Sequence, residues 1–189
     1  MNTRFHKIMW AVLALALASL ACTLNIGGPT PPAPPPTPNP QALDDLKAAW
    51  KQAIAQASST GEVTVSITAE QLTALLVAKL ADDPDAFFQQ PQVVLQNNQV
   101  VIYGQAHQAK ITANIRMALS VTVGDQGAPR FHLDAVDFGP LPVPTGLLNG
   151  LSDMLNEALT GKIVPQATGF RLESITIANG ALTLRGHLH

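Results

Sequence analysis

The sequence predicts an α+β fold in which a long, strongly curved antiparallel sheet wraps around amphipathic helices. Apolar residues alternate without a break from residue 111 to residue 123, the pattern of a single long strand. Segments with apolar residues at helical spacing lie on both sides of it. Two turn signals, Asn97-Asn98 and Asn179-Gly180, join alternating strands into hairpins. A strand of that length, about 43 Å, has to twist and bend.

The first 21 residues are typical of an export signal. Arg4 and Lys7 precede an apolar segment, 8–21, which as a helix is about 21 Å long, short of the ~30 Å hydrocarbon core of a bilayer. Cys22 is the only cysteine, so no internal disulfide is possible. The preceding Ala18-Ser19-Leu20-Ala21 resembles a bacterial lipobox, which implies that Cys22 is acylated and anchors an exported protein to a bacterial membrane. An uncleaved signal anchor is the alternative.

Residues 22–40 are expected to be the acylated cysteine and a proline-rich tether. Eight of the fourteen residues from Gly27 to Pro40 are proline, which favours polyproline II. At about 3.1 Å per residue, such a tether holds a domain roughly 40 Å from the membrane. Residues 41–189 then form one domain.

The first part of this domain is predicted to form a helix, a strand and a second helix. Asn39-Pro40 predicts an N-cap and a first helical residue, and the helix ends near residue 60. Its apolar face consists of Leu43, Leu46, Trp50, Ile54 and Ala57. A half-buried strand follows at 62–67. Thr68 and Gln71 form a capping box before a helix whose apolar stripe is Leu72, Leu75, Leu76 and Leu80.

The second part repeats this order. A strand at 131–138 changes its apolar face at Ala135-Val136, which predicts a bulge. A third helix is predicted from Leu147, Leu148, Leu151, Met154, Leu155 and Leu159. Each half runs strand, helix, hairpin, and "NNQVVIYG" at 97–104 aligns without gaps to "NGALTLRG" at 179–186. The order of elements suggests an internal pseudo-repeat.

The order of segments between residues 61 and 188 carries a family resemblance. A strand leads into "ITAEQLTALLVAKL", a hairpin and a meander follow, and then come "FGPLPVPTGLLNGLSDMLNEAL" and a closing "LTLRGHL". This arrangement resembles the tubular lipid-binding, or TULIP-like, families. The resemblance implies a curved sheet around a helix, with a groove that accepts acyl chains.

The long strand and the third helix supply the candidate groove residues. The strand contributes Ile111, Ile115, Met117, Leu119 and Val121. The helix contributes Leu147, Leu151, Met154 and Leu155. An apolar strand face is more often protein core than ligand site, so the pattern fits a filled core equally well.

Other chemistries find little support. A net charge of −2 without a Lys/Arg cluster argues against nucleic-acid binding. His187 and His189, with His107, could ligate zinc, but His189 is the last residue and chain ends fray. Asp134 and Asp137 are not accompanied in the sequence by a third residue that would complete a set for general acid–base catalysis. The sequence therefore predicts no enzyme, no cofactor and no metal site.

The resulting hypothesis is a membrane-anchored, exported lipoprotein that binds a hydrophobic ligand, a lipid above all, in an apolar groove. The alternative is a structural or protein-interaction module of the cell envelope without a groove, whose exposed hairpin strands take a protein partner by strand addition.

Overall fold

The computed structural model of the chain describes residues 24–25, 27–33, 39, 41–81, 88–108, 111–124, 127–139, 152–153 and 170–188. The signal peptide, Cys22 and most of the predicted third helix lie outside these residues; Ser152 and Asp153 are helical. The helices are α1 (Gln41–Thr60) and α2 (Ala69–Leu80). The strands are β1 (Leu24–Asn25), β2 (Glu62–Thr68), β3 (Phe88–Gln96), β4 (Gln99–Gln108), β5 (Ile111–Val123), β6 (Pro129–Asp137), β7 (Phe170–Ala178) and β8 (Ala181–Leu188). No helix within the described ranges is long and apolar enough to cross a bilayer.

Helix α1 begins where the sequence predicts, at the Asn39 cap. The Asn39 side-chain oxygen accepts a hydrogen bond from the backbone N–H of Gln41 at 3.0 Å. The helix ends at Thr60, and Gly61 follows at a φ of +75°, a conformation that glycine adopts without strain. Its most buried residues are Ala42, Leu46, Trp50, Ala53 and Ala57, so the buried face is turned slightly from the predicted one.

The capping box that starts α2 is confirmed. The backbone N–H of Gln71 donates to Thr68 Oγ1 at 3.2 Å, and the Gln71 side chain accepts from the Thr68 N–H at 3.0 Å. Farther along α2, Thr73 Oγ1 accepts a hydrogen bond from the backbone N–H of Val93 in β3 at 2.9 Å. This bond attaches the helix to the outer strand of a sheet.

The described strands form two sheets rather than one. The larger has the order β1-β5-β4-β3, with β6 also paired to β5, and the smaller has the order β2-β8-β7. All pairs are antiparallel except β1 with β5. The α+β class with mainly antiparallel sheets is thus confirmed. The second-half helix needed for the pseudo-repeat falls largely outside the described residues, so the repeat stays a prediction.

Strand β5 spans the thirteen residues that the alternation predicts. It pairs with β4 along Ile111–Leu119 and with β6 along Arg116–Val123. In β6 the register shifts at residue 134: Ala118 faces Ala135, whereas Leu119 faces Leu133. The bulge therefore lies one residue before the predicted position, and it lets Phe131 and Phe138 both be buried.

Both hairpins carry a glycine opposite an irregularity in the partner strand. Gly104 lies beside the register shift between Gln89 and Gln92, and Gly186 beside the shift between Leu172 and Ser174. A Cβ at Gly186 would overlap the carbonyl oxygen of Arg171, and one at Gly104 would overlap the Phe88 ring. Each strand pair thus approaches too closely for a side chain.

The main core contains one face of the larger sheet, the inner face of the smaller sheet and the buried faces of both helices. Its most completely buried large side chains include Ile67, Leu72, Ile102, Leu172 and Leu182. Elements that are far apart in the sequence meet there, because β2 pairs with β8 in the smaller sheet.

Residues 24–33 contact the larger sheet. Leu24 and Asn25 pair with the start of β5, and the Gly27 carbonyl oxygen accepts a hydrogen bond from the Asn114 N–H at 2.9 Å. The Ala33 carbonyl oxygen accepts one from Gln92 Nε2 at 3.4 Å. These described residues have partners on the domain, whereas residues 34–38 and 40 lie outside the described residues, so the proline-rich spacer stays a prediction.

Candidate functional site

The predicted groove residues on β5 lie inside the protein. Ile115 and Met117 are 0% exposed and Leu119 is 1% exposed, all in the main core. The backbone of Ile111 belongs to β5, but its side chain lies outside the described residues. Leu147, Leu151, Met154 and Leu155, predicted for the helical side of the groove, also lie outside them.

Burial along the apolar face of β5 is graded. After the fully buried Met117 and Leu119, Val121 and Val123 are only partly buried, although they still pack against the core. We call the Val121–Val123 stretch the open end of β5. The face is thus filled in its middle and accessible towards the connection to β6.

Two aromatic residues lie towards the same end of the molecule. Phe170 starts β7, and two residues later the Leu172 N–H donates to the Gly127 carbonyl oxygen in the β5–β6 connection at 3.1 Å. Phe170 is partly buried and contacts the Trp50 ring of α1. Phe170 therefore lies two residues along the chain from a hydrogen bond to the β5–β6 connection, where the open end of β5 also leads.

Trp50 brings a polar group into this apolar surrounding. The residue is 5% exposed, and its Nε1–H has no hydrogen-bond partner among the described residues. Leaving a buried donor without a partner costs about 1–3 kcal/mol. A ligand oxygen could satisfy this donor only by reaching an atom that is itself buried.

A second apolar cluster occupies the opposite face of the larger sheet. Val101, Tyr103 and Ala118 are buried there, with Val94 packed against them. The sequence interpretation missed this cluster, although four consecutive apolar residues, Val100 to Tyr103, are the usual signal of a strand buried on both faces. Gln92 is also buried, and its Oε1 has no partner among the described residues.

The histidines considered for zinc belong to different sheets. His187 Nε2 in β8 lies 3.2 Å from Glu173 Oε2, and both side chains are substantially exposed. His107 in β4 lies with its Nδ1 3.1 Å from Thr112 Oγ1. His189 lies outside the described residues, and within them no group of three or more His, Cys, Asp or Glu side chains could hold a metal ion.

The two aspartates of β6 have separate partners. Asp134 accepts hydrogen bonds from Gln99 Nε2 at 2.8 Å and from Ser120 Oγ at 3.0 Å. Asp137 Oδ1 accepts one from the Gly139 N–H at 2.7 Å. Both carboxylates therefore act as local hydrogen-bond acceptors in the sheet and its following turn.

Comparison with known proteins places these features in a family. No curated protein and no solved structure matches the chain. The family model described as LmeA-like phospholipid-binding matches residues 42–187, which include all elements from α1 to the end of β8 except the first residue of α1 and the last of β8. This confirms the predicted resemblance to the TULIP-like families. The chain belongs to the LmeA-like phospholipid-binding family.

Proposed function

We propose that the chain is an exported, membrane-anchored lipoprotein that binds a phospholipid through its acyl chains, in an apolar site entered at the open end of β5. The graded burial along β5 is the observation that carries this proposal. A continuous apolar face runs from completely buried Met117 and Leu119 to accessible Val121 and Val123. Family membership supports a phospholipid as the ligand.

The chemistry of the open end suits such a ligand. Each methylene removed from water contributes about 0.8 kcal/mol, so a few well-covered methylenes give useful affinity. Met117, deeper along the same face, is 0% exposed and belongs to the core that closes the inner end of the site. The Trp50 N–H offers a donor to an ester or phosphate oxygen of the same lipid.

The anchor is the second part of the proposal. It rests on the basic and apolar segments of residues 1–21 and on the lipobox-like residues before Cys22. Acylation of Cys22 would attach the protein to a bacterial membrane, and the folded domain would bind the phospholipid ligand.

The test is native mass spectrometry of the chain from Cys22 onward after exposure to total bacterial phospholipids. We expect a discrete added mass equal to one phospholipid. The variants Val121→Gln and Val123→Gln should lose most of it while unfolding cooperatively, because both side chains are only partly buried.

The matched control is Thr122→Gln, which introduces the same amide at an exposed position between the two valines. It should keep the lipid. A folded chain without added mass, or equal loss in all three variants, would contradict the proposal and favour the envelope-interaction alternative.

A further inference from the structure

The segment that follows Cys22 completes one edge of β5. Strand β6 pairs with β5 from Val123 back to Arg116. Before Arg116, the N-terminal segment pairs with the same edge of β5. Leu24 pairs with Ile111 and Asn25 with Thr112, and the Gly27 carbonyl oxygen accepts a hydrogen bond from the Asn114 N–H. Residues 24–27 and β6 therefore share the same side of one strand.

The N-terminal segment and the residue that follows β6 are in close contact. A Cβ at Gly139, just after β6, would lie 2.8 Å from the Gly28 Cα. A Cβ at Gly28 itself would lie 2.5 Å from the Asn114 carbonyl oxygen, and Gly28 has a φ of +119°. Only glycine fits at position 28 while the segment stays paired.

Two further hydrogen bonds join Ala33 and Asn39 to the domain. The Ala33 carbonyl oxygen accepts from Gln92 Nε2 at 3.4 Å, and Asn39 Nδ2 donates to Glu70 Oε1 at 2.9 Å.

Covalent geometry limits how far Cys22 can lie from this attachment. Cys22 is two residues before Leu24, so the two Cα atoms cannot be farther apart than about 7 Å. Strand β1 runs parallel to β5 and its first residue, Leu24, pairs with Ile111, so Leu24 lies at the Ile111 end of the sheet. Val123 lies twelve residues along β5, about 40 Å away.

We propose that residues 24–33 hold the domain directly on its anchoring membrane in one orientation, with the Ile111 end of β5 against the lipid headgroups and the open end directed away. This inference rests on the proposed acylation of Cys22. Its partner surface is the phospholipid bilayer that carries the anchor. The lipid site would then exchange its ligand on the side remote from that bilayer.

The experiment uses the full lipoprotein in phosphatidylcholine–phosphatidylglycerol vesicles that contain a lipid with a nitroxide on its headgroup. A fluorophore is attached to Gln89→Cys or to Thr122→Cys, both exposed positions. Gln89 pairs with Gln105, which pairs with Asn114, whereas Thr122 lies eight residues farther along β5, about 26 Å. Because acylated Cys22 has no thiol, each fluorophore has a single attachment point.

We expect the label at Gln89 to lose most of its fluorescence and the label at Thr122 to keep nearly all of it. Gly28→Val should abolish this difference, because the side chain cannot fit against Asn114. Gly27→Asn is the matched control: a Cβ there meets nothing within 4 Å, and asparagine tolerates its φ of +77°. The control should keep the difference.

Equal quenching at both positions in the unmodified chain would overturn the orientation while leaving the anchor intact. The intact mass of the purified protein distinguishes failure of the orientation from failure of the anchor. A mass without acyl groups on Cys22 would contradict both the proposed anchor and the proposed orientation. Amide exchange at Asn114 then reports docking alone, and Gly28→Val should raise its rate up to about tenfold, the equivalent of one hydrogen bond.

Discussion

The Trp50 and Phe170 rings meet edge to face, with centroids 5.6 Å apart and ring planes at 85°. This geometry joins α1 to the first residue of β7 and leaves the indole N–H without a partner among the described residues. An edge-to-face pair contributes about 0.5–1.5 kcal/mol beyond the area that it buries. The contact therefore stabilises the fold through the two rings.

Trp50→Phe should keep an aromatic pair and remove the donor. We expect a modest loss of unfolding free energy, about 1 kcal/mol for the smaller ring, together with a large loss of retained phospholipid in native mass spectrometry. Ile54→Val, on the same helix and partly buried, also shortens a side chain but removes no polar group. If both variants retain lipid equally well, the indole N–H is not a ligand contact.

Met117→Gln should destabilise the protein itself. Met117 is 0% exposed within the main core, so the new amide would be buried without adequate hydrogen-bond partners, at a cost of about 2–4 kcal/mol. Urea unfolding measures this loss. The exposed Thr122→Gln should change the free energy of unfolding by less than about 0.5 kcal/mol. A Met117→Gln protein as stable as the parent would mean that this residue lines a solvated groove.

Thr73→Val should weaken the attachment of α2 to β3. The valine has a similar shape but cannot accept the Val93 N–H, and a buried donor left unpaired costs about 1–3 kcal/mol. Thr73→Ser keeps the hydroxyl and should recover most of that stability. Thermal unfolding of the two variants checks the prediction, and equal melting temperatures would show that the hydroxyl contributes nothing.

Gly186→Ala should cost more than Gly124→Ala. The added methyl group at 186 would overlap the Arg171 carbonyl oxygen, which the β7–β8 pairing holds in place. We expect a loss of about 2 kcal/mol or more, as for other overpacked sites. At Gly124 the nearest backbone atom would be 3.2 Å away, so a small shift suffices. Urea unfolding of both variants provides the comparison, and equal losses would refute it.

The features that the sequence predicted well are those decided by a few neighbouring residues. The Asn39 cap, the Thr68–Gln71 capping box and the turn at Asn97-Asn98 each depend on side chains within four positions. The thirteen-residue alternation also predicted both ends of β5. Such signals persist in the fold because tertiary packing reinforces them.

Features that depend on distant partners were not predictable in this way. No local pattern indicates that β2 pairs with β8, or that Leu24 pairs with Ile111. The candidate site shows the same limit. The alternation identified Met117 and Val121 on one face, but their different burial is a property of the assembled sheets, which no local pattern shows.

The N-terminal pairing also has a consequence for the solubility of shortened forms. A chain trimmed to residue 41 would expose the backbone N–H and C=O groups of β5 before Arg116, because β6 does not extend that far. Uncovered strand edges recruit strands from other molecules. We therefore expect a soluble form that retains the pairing of Leu24 and Asn25 with β5 to stay monodisperse where the trimmed one aggregates.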